Sequence, residues 1–129
     1  LAGRVSDEEL LSLYRRAWVI ASSSAREGWN MTLTEAAACG TPAVATRIPG
    51  QVDAVADGTS GLLADDEAEL ARHLVSVLTD DDLRARLSSG AVAHVARFTW
   101  EATARAILTA LAEEAERWQD RPWRAWRRR

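Results

Sequence analysis

Glu27 and Glu35 stand eight residues apart, and between them the chain reads Gly28-Trp29-Asn30-Met31-Thr32-Leu33-Thr34. Such a stretch suits a loop that turns into a helix. Gly28 lets the backbone bend and approach a ligand closely. A helix opening at Asn30 to Thr32 offers free backbone N–H groups and about half a unit of positive charge, an arrangement that binds phosphate. Glu35 then lies one turn inside the helix, roughly 6 Å along its axis from Met31. Glu27 stays on the loop, on the other side of the bound anion. Carboxylates accept hydrogen bonds from sugar hydroxyls. The stretch therefore suits a diphosphate with a hydroxyl-bearing group on each side, the chemistry of a nucleotide sugar.

The elements that must position these residues follow from the flanking sequence. Trp18-Val19-Ile20-Ala21 is a short continuous apolar run, expected as a buried strand. Ser22 to Arg26 is a polar loop. Gly40 is a normal terminator for the helix. Pro42 cannot continue it, and Ala43 to Thr46 forms the second strand. Pro49-Gly50 is a turn, a short helix covers about Val52 to Ala56, and Gly61 to Ala64 is the third strand. Upstream, Ser6 and Glu9 form a capping box for a helix with an apolar stripe of Leu10, Leu11, Leu13, Tyr14 and Ala17. Downstream, Asp66 with Glu69, Asp80 and Thr99 open three further helices. Strands alternating with helices predict an α/β fold: a partial Rossmann-like parallel sheet of about three strands with flanking helices. In such a sheet a ligand lies beyond the carboxyl ends of the strands, where the loop after Trp18 to Ala21 falls.

The 129 residues give room for one domain. All sixteen basic residues are arginine. Six of them, against one aspartate, lie in residues 117–129, which leaves residues 1–116 at −8 under a total of −3. That body is not a nucleic-acid binder by charge. The tail carries Trp118, Trp123 and Trp126 among its arginines, a composition that suits peripheral contact with an anionic membrane surface, a solubilising end, or packing on another domain. Cys39 is the single cysteine, expected as a small buried hydrophobe, and with no internal disulfide the expected compartment is the reducing cytoplasm. No run reaches the roughly 18 apolar residues of a spanning helix. His73 and His94 make no ligand spacing with Cys39. Ser22, Ser23 and Ser24 lack the elbow and partnered histidine of a hydrolase.

Taken together, these residues resemble the retaining nucleotide-sugar glycosyltransferases of the GT-B fold, in particular family 4. The family pattern is Glu-Gly-aromatic-Gly, a second Glu eight after the first, then Ala-x-Ala-x-Gly-x-Pro-Val-Val-Ala; this chain reads EGWNMTLTEAAACGTPAVA. The resemblance continues through Gly50 and Asp57-Gly58-x-x-Gly61-Leu62-Leu63, includes Val5 to Leu10 and Leu13-Tyr14-x-x-Ala17 upstream, and covers about residues 3 to 115. It implies residues 1–116 are the second half of a C-terminal donor-binding domain, with 117–129 as a tail. It implies a catalytic place for Glu27 at the donor sugar. Gly28, Trp29 and Asn30 would line the sugar and β-phosphate through backbone groups. Met31 and Thr32 would offer amides to the diphosphate or ribose, and Glu35 would bind the ribose hydroxyls. The implied reaction moves a hexose from a nucleotide diphosphate sugar to a hydroxyl of a glycan, lipid or small molecule, with retention. The departing phosphate serves as base, with no metal and no other cofactor. Asn30 stands where the family has glycine, and asparagine is the best substitute if the position needs a positive φ. The family's diphosphate-neutralising Arg/Lys pair and its acceptor-binding N-terminal domain fall outside the chain. The isolated chain is therefore expected to be inactive, with an uncovered first strand prone to self-association. The competing readings are a non-catalytic module that binds a nucleotide sugar or a partner, and a GT-B relative that epimerises or phosphorolyses.

Overall fold

The computed structural model describes residues 3–119. The chain divides into two compact units, Leu1–Ala96 and Arg97–Arg129. The first contains α1 (Asp7–Arg16), β1 (Ile20–Ser22), α2 (Met31–Ala38), β2 (Ala43–Thr46), α3 (Gln51–Ala54), β3 (Gly61–Ala64), α4 (Glu67–Thr79) and α5 (Asp81–Val95). The described part of the second is the helix α6 (Trp100–Gln119). Residues 117–119 of the expected tail are thus helical, and the rest of it lies outside the described residues.

Local chemistry sets the helix starts. Ser6 Oγ accepts the Glu9 amide at 3.2 Å, Asp66 Oδ1 the Glu69 amide at 2.7 Å, and Asp80 Oδ1 the Leu83 amide at 2.8 Å. Thr99 Oγ1 does the same for Ala102 at 3.1 Å. All four are the caps expected from sequence. In the last turn of α2 the amide of Gly40 returns to the Ala37 carbonyl, and Gly40 has the positive φ of a C′ glycine.

The sheet is parallel in the order β1-β2-β3, as expected for half of a doubly wound sheet. Alternate residues of β2 point to opposite faces and build two cores. Ala43 and Ala45 pack with Leu33, Ala54, Val55 and Leu63 on one face; Val44 packs with Val77 and Leu87 on the other. Small residues in β2 let the helices come close. Gly90 on α5 lies so near the Thr59 carbonyl that a Cβ there would sit 1.9 Å from its oxygen.

The first strand is Ile20–Ser22 rather than residues 18 to 21, and it is not buried. Pairing begins where the Ile20 amide meets the Pro42 carbonyl at 3.0 Å. Trp18 falls before that point, is 59 % exposed, and stacks under the Arg84 guanidinium at 4.4 Å. A run of four apolar residues looks like a buried strand, but β1 is an outer strand of this sheet, with Ile20 and Ser22 half-buried and Ala21 exposed. The α1 stripe is likewise largely open: Leu11 and Leu13 are exposed and no residue of α1 is fully buried. Cys39 is half-buried, where a small buried hydrophobe was expected.

Candidate functional site

The carboxyl ends of β1 and β2 open into the loops 23–30 and 47–50, and these two loops meet. Gly50 has φ 86°, and a Cβ there would lie 2.7 Å from the Gly28 carbonyl oxygen and 2.9 Å from that of Glu27. Only glycine tolerates both the angle and the approach. Thr46 Oγ1, at the end of β2, donates to the Ser24 carbonyl at 2.6 Å and fixes the same loop from the other side.

Asn30 opens α2 with φ 56° and ψ 71°, the left-handed region. It is the non-glycine residue with positive φ among the described residues. The resemblance made this a condition on the asparagine, and the condition is met. Its side chain does not cap the helix. Instead Nδ2 donates to Ser22 Oγ at 2.9 Å. The Leu33 amide returns to the Asn30 carbonyl at 3.1 Å. The helix start thus has no side-chain cap from Asn30, and the amides of Met31 and Thr32 have no intrahelical acceptor. No acid stands in the first turn of α2 either. Trp29 and Met31, on either side of Asn30, are exposed, Met31 by 66 %.

The two carboxylates are held by different parts of the fold. Glu27 is half-buried, and Oε1 accepts from Ser24 Oγ at 2.7 Å. Glu35 is exposed, and Oε2 accepts from Tyr14 Oη on α1 at 3.1 Å. Burial of the phenol, then the hydrogen bond and charge of Glu35, push the Tyr14 pKa up, against a smaller opposing hydrogen bond from Thr32. Tyr14 therefore stays a neutral donor. A groove of roughly 460 Å³ runs beside this pair, lined by Leu10, Leu11, Tyr14, Glu35, Ala38 and Cys39.

Arg47, the first residue after β2, is the cation nearest in sequence to the Gly50 loop. Asp57 at 2.6 Å and Asp65 at 2.9 Å both engage it. Burial of Asp57 raises its pKa, but the Arg47 hydrogen bond, the Leu63 amide and the Arg47 charge outweigh that and hold it below the ordinary value. Arg47 is thus committed to the β2–β3 edge. Among the described residues no three side chains of metal-ligand type converge, and His73 pairs with Glu69 on its own helix at 3.8 Å.

The structure brings Glu27, Gly28, Asn30, Met31, Thr32 and Glu35 to one loop-helix junction. Sequence reasoning missed Ser22, Ser24, Gln51 and the Tyr14–Glu35 bond. The Ser24–Glu27 spacing of three residues was a usable local signal. Nothing local marked Gln51, which is wholly buried and donates to Ser22 Oγ at 3.0 Å across 29 residues of sequence.

A parallel sheet with helices packed on both faces of β2 is an α/β fold, and its structural neighbours are GT-B glycosyltransferases. The chain belongs to the glycosyl transferases of group 1, whose family model matches residues 1–94. It is 47 % identical over 103 residues to a D-inositol 3-phosphate glycosyltransferase of Corynebacterium urealyticum, covering 78 % of this chain and 24 % of that one. A Stackebrandtia nassauensis protein of the same name is 43 % identical over 111 residues, covering 84 % and 25 %. The chain thus spans about a quarter of the length of these curated relatives. Among solved structures it superposes on sucrose-phosphate synthase from Thermosynechococcus elongatus with a TM-score of 0.75 at 29 % identity, over 89 % of this chain and 30 % of that one. The Anabaena protein HepE in complex with UDP-glucose gives 0.69 at 27 % identity, over 81 % and 30 %. No helix among the described residues is long and apolar enough to cross a membrane.

Proposed function

We propose that this chain binds the nucleotide diphosphate sugar donor of a retaining hexosyl transfer, with the diphosphate at the mouth of α2. The observation that carries the reading is the left-handed Asn30 at an uncapped helix start, with one held carboxylate on the loop before it and one a turn inside it. The amides of Met31 and Thr32 take the diphosphate, and the helix dipole offsets part of its charge. Glu35 accepts the ribose hydroxyls. Gly28, Trp29 and Asn30 line the sugar and β-phosphate through backbone groups, and Glu27 accepts from the sugar. In the transfer the acceptor hydroxyl attacks the anomeric carbon on the face from which the nucleoside diphosphate departs. The bond to the β-phosphate oxygen breaks, and that oxygen takes the hydroxyl proton. No side-chain base and no metal are needed.

The Anabaena neighbour holds UDP-glucose, which supports a UDP-hexose as donor. The names of the relatives support a phosphorylated cyclitol as acceptor. The family match favours transfer over epimerisation, phosphorolysis or binding without catalysis. This length of chain by itself binds donor, and turnover requires the further residues that the longer relatives carry. Calorimetric titration with UDP, GDP and UDP-glucose tests the donor step. Binding of a nucleoside diphosphate that weakens about tenfold in Glu35→Ala supports it. Binding unchanged by that substitution contradicts it. Anomeric analysis of product from an active longer form tests retention.

A further inference from the structure

Ser22 closes β1, and three hydrogen bonds meet at its Oγ. Asn30 Nδ2 donates to its Oγ at 2.9 Å and Gln51 Nε2 at 3.0 Å. A hydroxyl has two lone pairs and one proton. With both lone pairs filled, the proton of Ser22 goes to the remaining neighbour, Ser24 Oγ, at 3.4 Å. Ser24 then accepts from Ser22 and spends its own proton on Glu27 Oε1 at 2.7 Å. The chain therefore runs one way, from two amides through two hydroxyls onto a carboxylate, which when ionised only accepts. Gln51 anchors it from the interior: its side chain is wholly buried and its Oε1 has no partner, so Nε2 carries the whole of its attachment. Asn30 brings in the left-handed turn that opens α2.

We propose that Ser22 is a positioning residue that couples the two ends of the donor site. It holds the Asn30 turn on which the α2 mouth depends. Through Ser24 it fixes Glu27 with Oε1 engaged, leaving Oε2 for a sugar hydroxyl. This rests on the donor reading of Glu27 and of the helix mouth given above. Loosening Ser22 lowers affinity for the diphosphate modestly and removes part of the extra affinity that the sugar contributes.

The test is a titration of the full chain with UDP and with UDP-glucose, followed by NMR, in wild type, Ser22→Ala, Ser22→Thr, Ser24→Ala and Glu27→Ala. The readout is the ratio of the two dissociation constants, which a purely structural contribution to folding does not move. Ser22→Ala is expected to weaken UDP-glucose about tenfold and UDP only about threefold. Ser22→Thr, which keeps the hydroxyl, is expected to restore the ratio. Ser24→Ala breaks the chain without touching Asn30 or Gln51; it is expected to change the ratio while leaving UDP affinity at the wild-type level. Adding Ser22→Ala to Glu27→Ala is expected to change the ratio no further. A wild-type ratio in either Ser22→Ala or Ser24→Ala, or full additivity with Glu27→Ala, overturns the proposal. Glu27→Ala separates the two levels of the account. If it leaves the ratio unchanged, the donor reading of Glu27 fails and the Ser22 proposal with it. If it moves the ratio and the serine variants do not, the Ser22 proposal alone fails.

Discussion

Glu27 and Glu35 are the same residue type in the same motif, yet the fold treats them oppositely. Glu27 is half-buried at the end of a hydrogen-bond chain that reaches the interior at Gln51, and the Gly50 loop presses against its backbone. Glu35 is exposed on the face of α2, with Tyr14 alone holding it among the hydrogen bonds described. A carboxylate fixed before its ligand arrives loses little entropy on binding, whereas an exposed one orders its side chain at that moment. The difference matches the tasks proposed for them. The sugar must be oriented for a reaction at one carbon, and the ribose only has to be gripped. Pre-organisation is concentrated where geometry matters most.

Substitutions on the two sides should therefore differ in size. The largest effect is expected from Gly50→Ala. Its Cβ meets the Gly28 carbonyl at 2.7 Å, and φ 86° disfavours any side chain. A loss of about 3 kcal/mol in unfolding free energy, with donor binding lost as well, is expected by denaturant titration. A loss below about 0.5 kcal/mol would mean that the two loops are not rigidly joined. Glu27→Ala comes next, at about thirtyfold on UDP-glucose affinity with UDP little changed, because a hydrogen-bonded charged partner is removed from a fixed site. Glu35→Ala follows, at about tenfold on UDP and UDP-glucose alike. Equal losses on both ligands for both glutamates would erase the distinction between them.

Tyr14→Phe sharpens the comparison at its weaker end. About threefold loss of UDP affinity is expected, since one exposed hydrogen bond to Glu35 disappears. The raised Tyr14 pKa gives this contact a sign in pH. Its stabilisation is complete below the ordinary tyrosine value near pH 10 and is lost as pH rises through the higher folded value. The smallest effect belongs to neither carboxylate. Asp57, held below its ordinary value beside Arg47, contributes stability that is complete above about pH 4 and is lost as pH falls through the lowered folded value. Asp57→Asn should flatten the acid limb of the stability profile and leave the donor-affinity ratio untouched.

The same contrast governs what sequence alone could reveal. The caps at Ser6, Asp66, Asp80 and Thr99 were legible because each bond spans three residues. The bounds of β2 and β3 were legible because turns and prolines punctuate them. The left-handed Asn30 was legible through the glycine it replaces in the family pattern. The start of β1 was not, because pairing with Pro42, rather than the apolar run itself, decides it. Nor was the Ser22 hub. A glutamine after Pro49-Gly50 has no local reason to be buried; its burial follows from the junction of two loops after neighbouring strands. Tyr14 appeared in an apolar stripe and in the family pattern but not as a partner of Glu35, since its hydroxyl finds Glu35 across 21 residues. Local chemistry is readable one residue at a time, while the supports of the site are tertiary.

The central claim is that the mouth of α2 receives the diphosphate. An NMR titration of the isotope-labelled chain with UDP tests it most directly. The account predicts that the backbone amides of Met31 and Thr32 show the largest shift changes, with Glu35→Ala weakening the titration but leaving their rank intact. Saturable UDP binding that leaves those two amides unmoved while others shift would contradict it.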